Sequence, residues 1–359
     1  MSSLNVRSEI LSLVKKACRG AHADRNVKIV SKHKGFDGGG GCPLEKTGEE
    51  HGLTRERVRQ VVVNAQREMG ELEMPVKLLK AAKLINSLVP ASADRIESAL
   101  QDEGLITNRF KIEGIINAIN MVDATALGGA RIEKERGVRF VVLPSQKGWP
   151  KKFLSIAGKT VSHNGTADIN SICAQVHGLE QDRVLPFVKD VIEIREDICY
   201  ISEGRRFFFL EGKTNCVLSR VRKIFVYGSR AHVSNVLEGI KRSWHKDDTE
   251  YVKSQIPEVN VLKEMLIATG EFVIEEGDWI VAIANKSYND KKLLRPYEIK
   301  IAKEIMLGYK GREREKRLED AVVRNISKKQ SFSMALNYSP ILFKEEYGVY
   351  RLVVEDDSK

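Results

Sequence analysis

Residues 44–60 read LEKTGEEHGLTRERVRQ, which is the pattern of a short helix, a turn and the start of a second helix. Residues 44–51 are expected to form the first helix. Gly52-Leu53 should form the turn, because a tight turn between helices often needs a positive φ, which glycine adopts without steric cost. Thr54 stands where an N-cap belongs, since its hydroxyl can accept a hydrogen bond from the first helical turn. The second helix is therefore predicted over residues 54–69.

The two sides of this second helix differ in chemistry. At about 100° per residue, one side collects the small apolar residues expected to face the core, namely Val58, Val61, Val62 and Ala65. The other side carries Glu56, Arg59, Gln60, Val63 and Asn64. Arginine can pair with guanine, glutamine with adenine and glutamate with cytosine, while valine can contact the thymine methyl group. The pattern therefore favours a helix that reads base edges in the DNA major groove over an ordinary solvated helix.

The same stretch resembles the C-terminal domain of bacterial sigma factors, which reads the −35 promoter element. The resemblance covers roughly residues 25–70 and rests on Leu44-Glu45, Gly48-Glu49-Glu50, Gly52-Leu53 and residues 54–60. It implies that Arg55, Glu56 and Gln60 read bases. It also implies that Arg57 and Arg59 contact or support the DNA backbone. The chain departs from the family pattern at His51, at Val62, and at residues 38–41, where glycines lengthen the preceding loop.

Candidate DNA contacts divide into two sets. Arg55, Glu56, Gln60 and Val63 are expected to read bases. The phosphate contacts are expected partly from Thr54, Arg57 and Arg59, and partly from residues 213–246, which carry eight basic residues against one acidic residue. Such a concentration of positive charge favours a polyanionic partner. The candidates in this basic segment are Arg220, Arg222, Lys223, Arg230, Lys241, Arg242 and Lys246.

The rest of the chain repeats a pattern of helical segments followed by an apolar strand, a polar turn and a second strand. Hairpins are predicted at residues 131–143, 191–210, 272–281 and 341–353, and helical segments fill the gaps. The predicted fold class is mainly α with small β-hairpins (α+β), a helix-turn-helix domain followed by tandem winged-helix modules. The domains are expected at residues 1–72, 73–148, 149–212, 213–288 and 289–359. Residues 149–354 also resemble the winged-helix (HARE-HTH-like) family shared by restriction-associated and chromatin proteins.

Particular helices are predicted inside these modules. Residues 76–123 are expected to be helical, with separate helices starting near residue 90 and near residue 111. The second module should hold helices at residues 152–161, 167–176 and 181–190, with Asp168 in the first turn of the middle one. In the third module, residues 233–244 are predicted to be the recognition or presentation helix. The fourth should hold helices at residues 296–307, 318–325 and 331–337.

Composition narrows the class of protein. The chain has 359 residues, 42% of them hydrophobic, and a net charge of +10. It has neither an apolar run long enough for a transmembrane helix nor an apolar N-terminal segment, so a cytoplasmic protein without membrane contact is expected. Its five cysteines lack metal-binding spacing, so thiols rather than zinc ligands are expected. We predict no cofactor and no catalytic residue, since Glu211-Gly-Lys213 lacks the second carboxylate of a metal-dependent nuclease site.

The sequence leaves three functional classes open. The first is a sequence-specific transcription regulator that binds double-stranded DNA. The second is a sigma-like partner of RNA polymerase. The third is a DNA-recognition or scaffold subunit of a phage-defence or mobile-element complex, in which the winged modules bind other protein subunits.

Overall fold

The computed structural model describes residues 5–107, 110–175, 181–211, 215–244, 256–283, 293–307, 329–346 and 349–354. It is a mixed structure of helices and small antiparallel sheets, so the predicted α+β class is confirmed. Two compact units are present. Unit 1 comprises Met1–Leu154 and Cys173–Ile194, and unit 2 comprises Ser155–Ile172 and Arg195–Lys359. Among the described residues, no helix combines the length and apolar character needed to cross a bilayer.

Four helices open unit 1. They are α1 (Val6–Ala17), α2 (Ala23–Lys34), α3 (Leu44–His51) and α4 (Arg55–Gly70). Helix α1 begins at a capping box. The Asn5 side chain accepts a hydrogen bond from the Ser8 amide, and the Ser8 hydroxyl oxygen accepts one from the Asn5 amide. Helix α2 ends at Gly35, whose φ of 79° is left-handed. Helices α1 and α2 both pack against α4 and hold its buried face.

A first helix–hairpin group follows in unit 1. It consists of α5 (Val76–Leu88), β1 (Ala91–Ser92), α6 (Ala93–Asp102), α7 (Ile112–Val122), β2 (Arg131–Glu135) and β3 (Val138–Val142). The strands form an antiparallel sheet in the order β1-β3-β2, with Ala91 opposite Val141. The predicted hairpin at residues 131–143 is confirmed. Strand β1 is not predicted by the sequence, because two residues carry no alternation and become a strand only by pairing with β3.

The same order recurs twice more. The second group is α8 (Trp149–Asn164), β4 (Ala167–Asp168), α9 (Ile169–Cys173), α10 (Gln181–Ile192), β5 (Ile198–Ile201) and β6 (Arg206–Phe209). The third group is α11 (Cys216–Ile224), β7 (Arg230–His232), α12 (Val233–Ser243), α13 (Val259–Ala268), β8 (Phe272–Glu275) and β9 (Trp279–Ala282). Their sheets have the orders β4-β6-β5 and β7-β9-β8, so in each the short first strand pairs with the last strand.

The fourth group is described in part. It contains α14 (Pro296–Met306), α15 (Lys329–Tyr338), β10 (Leu342–Glu346) and β11 (Val349–Leu352), and the last two strands form an antiparallel hairpin. The helix predicted at residues 318–325 lies outside the described residues. Helix α14 begins at Pro296, which suits the first helical position because its missing amide hydrogen would have no partner there.

Two predictions for the second group need correction. Asp168 belongs to β4 rather than to the first turn of a helix, and its carboxylate accepts from the Ser171 amide at 2.9 Å, which caps α9. The predicted hairpin at residues 191–210 begins late, because α10 continues to Ile192 and the first strand starts at Ile198. In both places a helix boundary lies a few residues from its predicted position.

The main core of unit 1 joins the N-terminal helices to the first group. One cluster of buried side chains contains residues from Val6 of α1 to Val141 of β3. An aromatic cluster lies beside it, where Phe187 of α10 meets Phe140 edge-on at 5.7 Å and Phe153 at 5.9 Å between ring centroids. Helix α4 therefore rests on a large, continuous apolar support.

Candidate nucleic-acid interface

Two glycines set the geometry of the turn between α3 and α4. Gly52 adopts a φ of 64°, and the next amide, that of Leu53, donates to the Gly48 carbonyl at 2.9 Å. A Cβ atom added at Gly48 would lie 2.5 Å from the Leu53 carbonyl oxygen, closer than two such atoms can approach. The turn therefore needs glycine for backbone conformation at one position and for close packing at the other. The second requirement was not predicted, although a glycine inside an eight-residue helix is its sequence signal.

The start of α4 is capped as the sequence predicts. The Thr54 hydroxyl accepts a hydrogen bond from the Arg57 amide at 3.2 Å, and Thr54 itself has an extended backbone. The N-terminus of a helix carries a partial positive charge, which favours an anion nearby. The first turn of α4 is therefore both structurally fixed and electrostatically suited to a phosphate group.

The two faces of α4 are also as predicted. Val58, Val61, Val62 and Ala65 are buried, with exposed fractions of 7% or less. The opposite face is exposed to solvent, including the apolar Val63, whose exposed fraction is 49%. Three candidate base-reading residues, Glu56, Gln60 and Val63, lie on that face, and the fourth, Arg55, is the first residue of the helix; all four are exposed.

Polar groups on the exposed face of α4 pair with one another. Arg59 donates two hydrogen bonds to the Glu56 carboxylate, at 2.9 and 2.7 Å. Arg57 donates to the Gln60 side-chain oxygen at 3.1 Å. The hydrogen bonds from Arg59 lower the pKa of Glu56 and correspondingly raise the pKa of Arg59. Glu56 therefore stays ionised at neutral pH, and Arg59 balances its charge.

The first helix of the motif is anchored to its surroundings. The Thr47 hydroxyl is buried and donates to the Pro43 carbonyl at 2.9 Å, and the Lys32 ammonium lies 3.7 Å from the Glu50 carboxylate. His33, in the last turn of α2, forms a hydrogen bond through Nδ1 with the carbonyl of Cys42 in the loop before α3, at 2.7 Å. These contacts fix α3 relative to α2, and hence fix the turn that orients α4.

The glycine-rich loop expected to lengthen this connection packs against α7. A Cβ atom at Gly114 of α7 would lie 2.4 Å from the Gly35 carbonyl oxygen, so the two backbones touch where both residues lack side chains. The Asn117 side chain donates to the Lys34 carbonyl at 2.9 Å, and the Lys111 amide donates to the Gly38 carbonyl at 3.3 Å. The loop is thus held by several contacts rather than by local turn geometry alone.

Several basic residues of the segment 213–246 form ion pairs in the folded chain. Arg222 donates to Glu271 at 2.9 Å, while Lys223 lies 3.7 Å from Glu298. These acidic partners come from outside residues 213–246. Similar pairs join Arg230 to Glu275 at 3.4 Å and Lys241 to Glu238 at 3.8 Å. Carboxylates from outside the segment therefore pair with three of its cations, Arg222, Lys223 and Arg230.

Two further arginines of this segment serve packing. Arg220 donates to the Cys216 carbonyl at 2.8 Å, and its guanidinium lies 4.1 Å from the centre of the Trp244 ring. Arg242 donates to the carbonyl oxygens of Leu336 and Leu342, and burial lowers the pKa of its guanidinium. Lys246, the last candidate, lies outside the described residues.

The helix predicted to present this segment is α12, which ends at Ser243 with Trp244 as its C-cap. It is the second helix of its group, and α13 stands between it and the hairpin. Its side facing the fourth group is closed, because a Cβ atom at Gly239 would lie 2.4 Å from the Pro340 carbonyl oxygen. Of the predicted phosphate contacts, Thr54, Arg57 and Arg59 thus lie exposed at the N-terminal end of α4. The described candidates of the basic segment instead contact other residues of unit 2.

The remaining chemical candidates are engaged in structural roles. The Asp197 carboxylate, near the Glu211-Gly-Lys213 sequence, is paired with Arg195 and accepts from the Glu211 amide at 2.7 Å. Lys213 lies outside the described residues. Within the described ranges, histidine, cysteine and carboxylate side chains form no group of three that could hold a metal ion. All five cysteines are free thiols, as expected, and two of them, Cys18 and Cys173, are buried. No protein-family model and no curated protein matches this chain.

Proposed function

We propose that this protein binds duplex DNA in a sequence-specific manner by placing the first turns of α4 in the major groove. The observation that carries the proposal is the division of α4 into a buried apolar face and an exposed face with Glu56, Gln60 and Val63, beside which Arg55 is exposed at the start of the helix. Residues 55–63 extend about 12 Å along the helix axis at ~1.5 Å per residue. This length is comparable with the ~12 Å width of the major groove.

Each exposed group has a partner on DNA. Arg55 can donate two hydrogen bonds to guanine, and Val63 can contact a thymine methyl group. Gln60 can bridge adenine once Arg57 releases its side-chain oxygen, and Arg57 then becomes free to bind a phosphate group. The Glu56 carboxylate can accept from cytosine while Arg59 balances its charge. Binding therefore exchanges hydrogen bonds within α4 for hydrogen bonds to DNA.

We further propose that the four helix–hairpin groups are winged-helix modules. In the first three, a short strand follows the first helix and pairs with the last strand of the hairpin. That order, together with the hairpin after the third helix, supports the assignment. With a helix-turn-helix ahead of them, the whole favours a regulator of transcription, which predicts that the bound sequence occurs in promoters.

The experiment that tests the proposal is selection of bound duplexes from a random library at about 0.15 M salt, where weak electrostatic binding is already suppressed. Wild type is compared with the triple variant Arg55→Ala, Glu56→Ala, Gln60→Ala. The matched control is Gln66→Ala, Arg67→Ala, Glu68→Ala, which removes the same three residue types from the C-terminal end of the same helix. Neither triple substitution changes the net charge.

We expect wild type and the control to select the same motif and the first variant to lose it. Each lost base contact should weaken binding to the selected duplex by about 1–3 kcal/mol. Selection of one motif by all three proteins would refute base reading by α4. Absence of any motif with wild type would refute sequence-specific binding altogether.

A further inference from the structure

The helix that directly precedes the hairpin in each helix–hairpin group holds the position from which a winged module usually reads DNA. These helices are α7, α10, α13 and α15. In each case the described contacts join the helix, or the residues directly after it, to an earlier part of the chain. The four contacts use different chemistry, so they are considered one at a time.

Helix α7 is enclosed by the N-terminal helices. No residue from Ile112 to Val122 is exposed, since each is buried or half-buried. The contact with α2 and its loop includes the touching backbones of Gly35 and Gly114 and the hydrogen bond from Asn117. A helix without an exposed side chain cannot enter a groove of DNA.

Helix α10 packs against the first group. Its Asp190 carboxylate accepts from the Ser92 hydroxyl at 2.7 Å and from the Ser92 amide at 3.2 Å. Phe187, one turn earlier, is fully buried against Phe140 of β3. The side of α10 that carries these residues is therefore occupied by β1 and β3.

Helix α13 contacts the hairpin of the second group. Its Glu264 carboxylate accepts from both the amide and the hydroxyl of Ser202, at the tip between β5 and β6. Ser202 and Glu203 both have positive φ, at 51° and 56°, so the tip holds a conformation that non-glycine residues rarely adopt. The hairpin that would flank DNA in the second group thus touches the helix that would read DNA in the third.

Helix α12 packs against α15 and the turn that follows it. The guanidinium of Arg242 binds carbonyl oxygens of Leu336 in α15 and Leu342 in β10. Gly239, on the same helix as Arg242, approaches the Pro340 carbonyl so closely that any side chain would collide. Backbone carbonyls at the end of α15 are thereby satisfied by a cation from the preceding group.

We infer that the helix before each hairpin is a docking element whose partner is the preceding part of this chain, and that DNA contacts are confined to α3 and α4. The inference rests on the proposed function for its second half. The charge of the third group agrees with it, because Glu275 and Asp278 near the tip between β8 and β9 pair with Arg230 and Lys263 of the same group, and Glu276 adds a further negative charge there. The first helix–hairpin group then serves as a support for α4.

Whether DNA contacts are confined to α3 and α4 is tested by the salt dependence with which the full chain binds the duplex that it selects. One variant is Arg57→Ala on α4. The other is Arg183→Ala, Lys189→Ala, Lys241→Ala, which removes three exposed cations from the second and third groups. Each phosphate contact contributes about 0.9 to the slope of log K against log salt. We expect the slope to fall by about 0.9 for Arg57→Ala and to stay unchanged for the triple variant.

A fall of about one or more in the slope of the triple variant would overturn the confinement of DNA contacts to α3 and α4. Failure of wild type to bind any duplex would instead remove the proposed function. Docking is tested independently of DNA by hydrogen exchange in Glu264→Ala, with Glu276→Ala as control. We expect roughly tenfold faster exchange at the β5–β6 tip in Glu264→Ala alone. Equal exchange rates at that tip in both variants would overturn docking.

Discussion

Substitution of Gly48 by alanine tests whether close packing of the turn orients α4. A Cβ atom at this position would lie 2.5 Å from the Leu53 carbonyl oxygen and 3.5 Å from two further backbone carbons. Backbone atoms cannot rotate away as a side chain can, so the turn between α3 and α4 must move. Overpacking of this kind costs about 1–3 kcal/mol, and a backbone collision belongs in the upper half of that range.

The helix itself partly offsets this cost. Alanine is favoured over glycine inside a helix by about 1 kcal/mol. The net expectation for Gly48→Ala is therefore a loss of roughly 1–2 kcal/mol in the free energy of unfolding. For a unit of this size, that loss lowers the melting temperature by roughly 2–8 °C.

The control is Gly70→Ala at the end of α4. There the nearest atom to an added Cβ is the Met121 carbonyl oxygen at 3.8 Å, an ordinary contact. We expect Gly70→Ala to be neutral or stabilising by up to ~1 kcal/mol. Thermal and urea unfolding of both variants measure the difference, and affinity for the selected duplex reports on the orientation of α4. If Gly48→Ala were as stable as Gly70→Ala and bound DNA normally, the argument from close packing would fail.

Two further predictions concern half-buried polar groups of unit 1. Arg139 binds Asp94, Glu97 and Glu113 at 2.8–2.9 Å; burial alone would lower its pKa, but the hydrogen bonds that it donates to the carboxylates, together with their charges, outweigh that effect and raise it. Arg139→Met should therefore cost about 1–3 kcal/mol in urea unfolding, because it leaves carboxylates unpaired. Lys134→Met, opposite it on the neighbouring strand, should stay within ~0.5 kcal/mol, and an equal loss would contradict the role of the ion pairs. For His33, burial lowers the imidazole pKa more than the hydrogen bond to the Cys42 carbonyl raises it. The unfolded chain therefore binds a proton more readily, so stability should fall as pH drops from about 7 to 5; His33→Gln should weaken this fall in a pH series of melting temperatures, and an unchanged pH profile would contradict it.

Helices α3 and α4 and the turn between them could be predicted because their determinants are local. The cap at Thr54, the positive φ of Gly52 and the apolar stripe of α4 each depend on residues within two turns of one another. For the candidate base-reading residues, the sequence predicts that they are exposed on α4 but not how they pair with their neighbours. The pairing of Glu56 with Arg59 and of Arg57 with Gln60 became visible in the structure, although their spacing of three residues is typical of interacting side chains on a helix.

Other features depend on partners distant in the chain. Strands β1, β4 and β7 are two or three residues long and owe their conformation to pairing with the final strand of each sheet. The charge of residues 213–246 favours a polyanionic partner when it is counted along the sequence. That count omits Glu271, Glu275 and Glu298, which lie further along the chain and pair with cations of this segment. The contacts of α7, α10, α13 and α15 with earlier segments likewise leave no periodic signal, since a docked helix and a core-facing helix show the same apolar spacing.

The buried cluster that extends from Val6 to Val141 makes α4 inseparable from the first helix–hairpin group. Cutting the chain after α4 would separate α4 from α7 and expose to water the apolar side chains that the two helices bury between them, including isoleucines of α7. A fragment of residues 1–72 is therefore expected to aggregate. The proposed DNA recognition therefore depends on the first helix–hairpin group, and α3 and α4 alone could not be moved into another protein with that function intact. A new specificity would have to arise by exchange of single side chains on the exposed face of α4, while the glycines of its turn and of the loop below stay as they are.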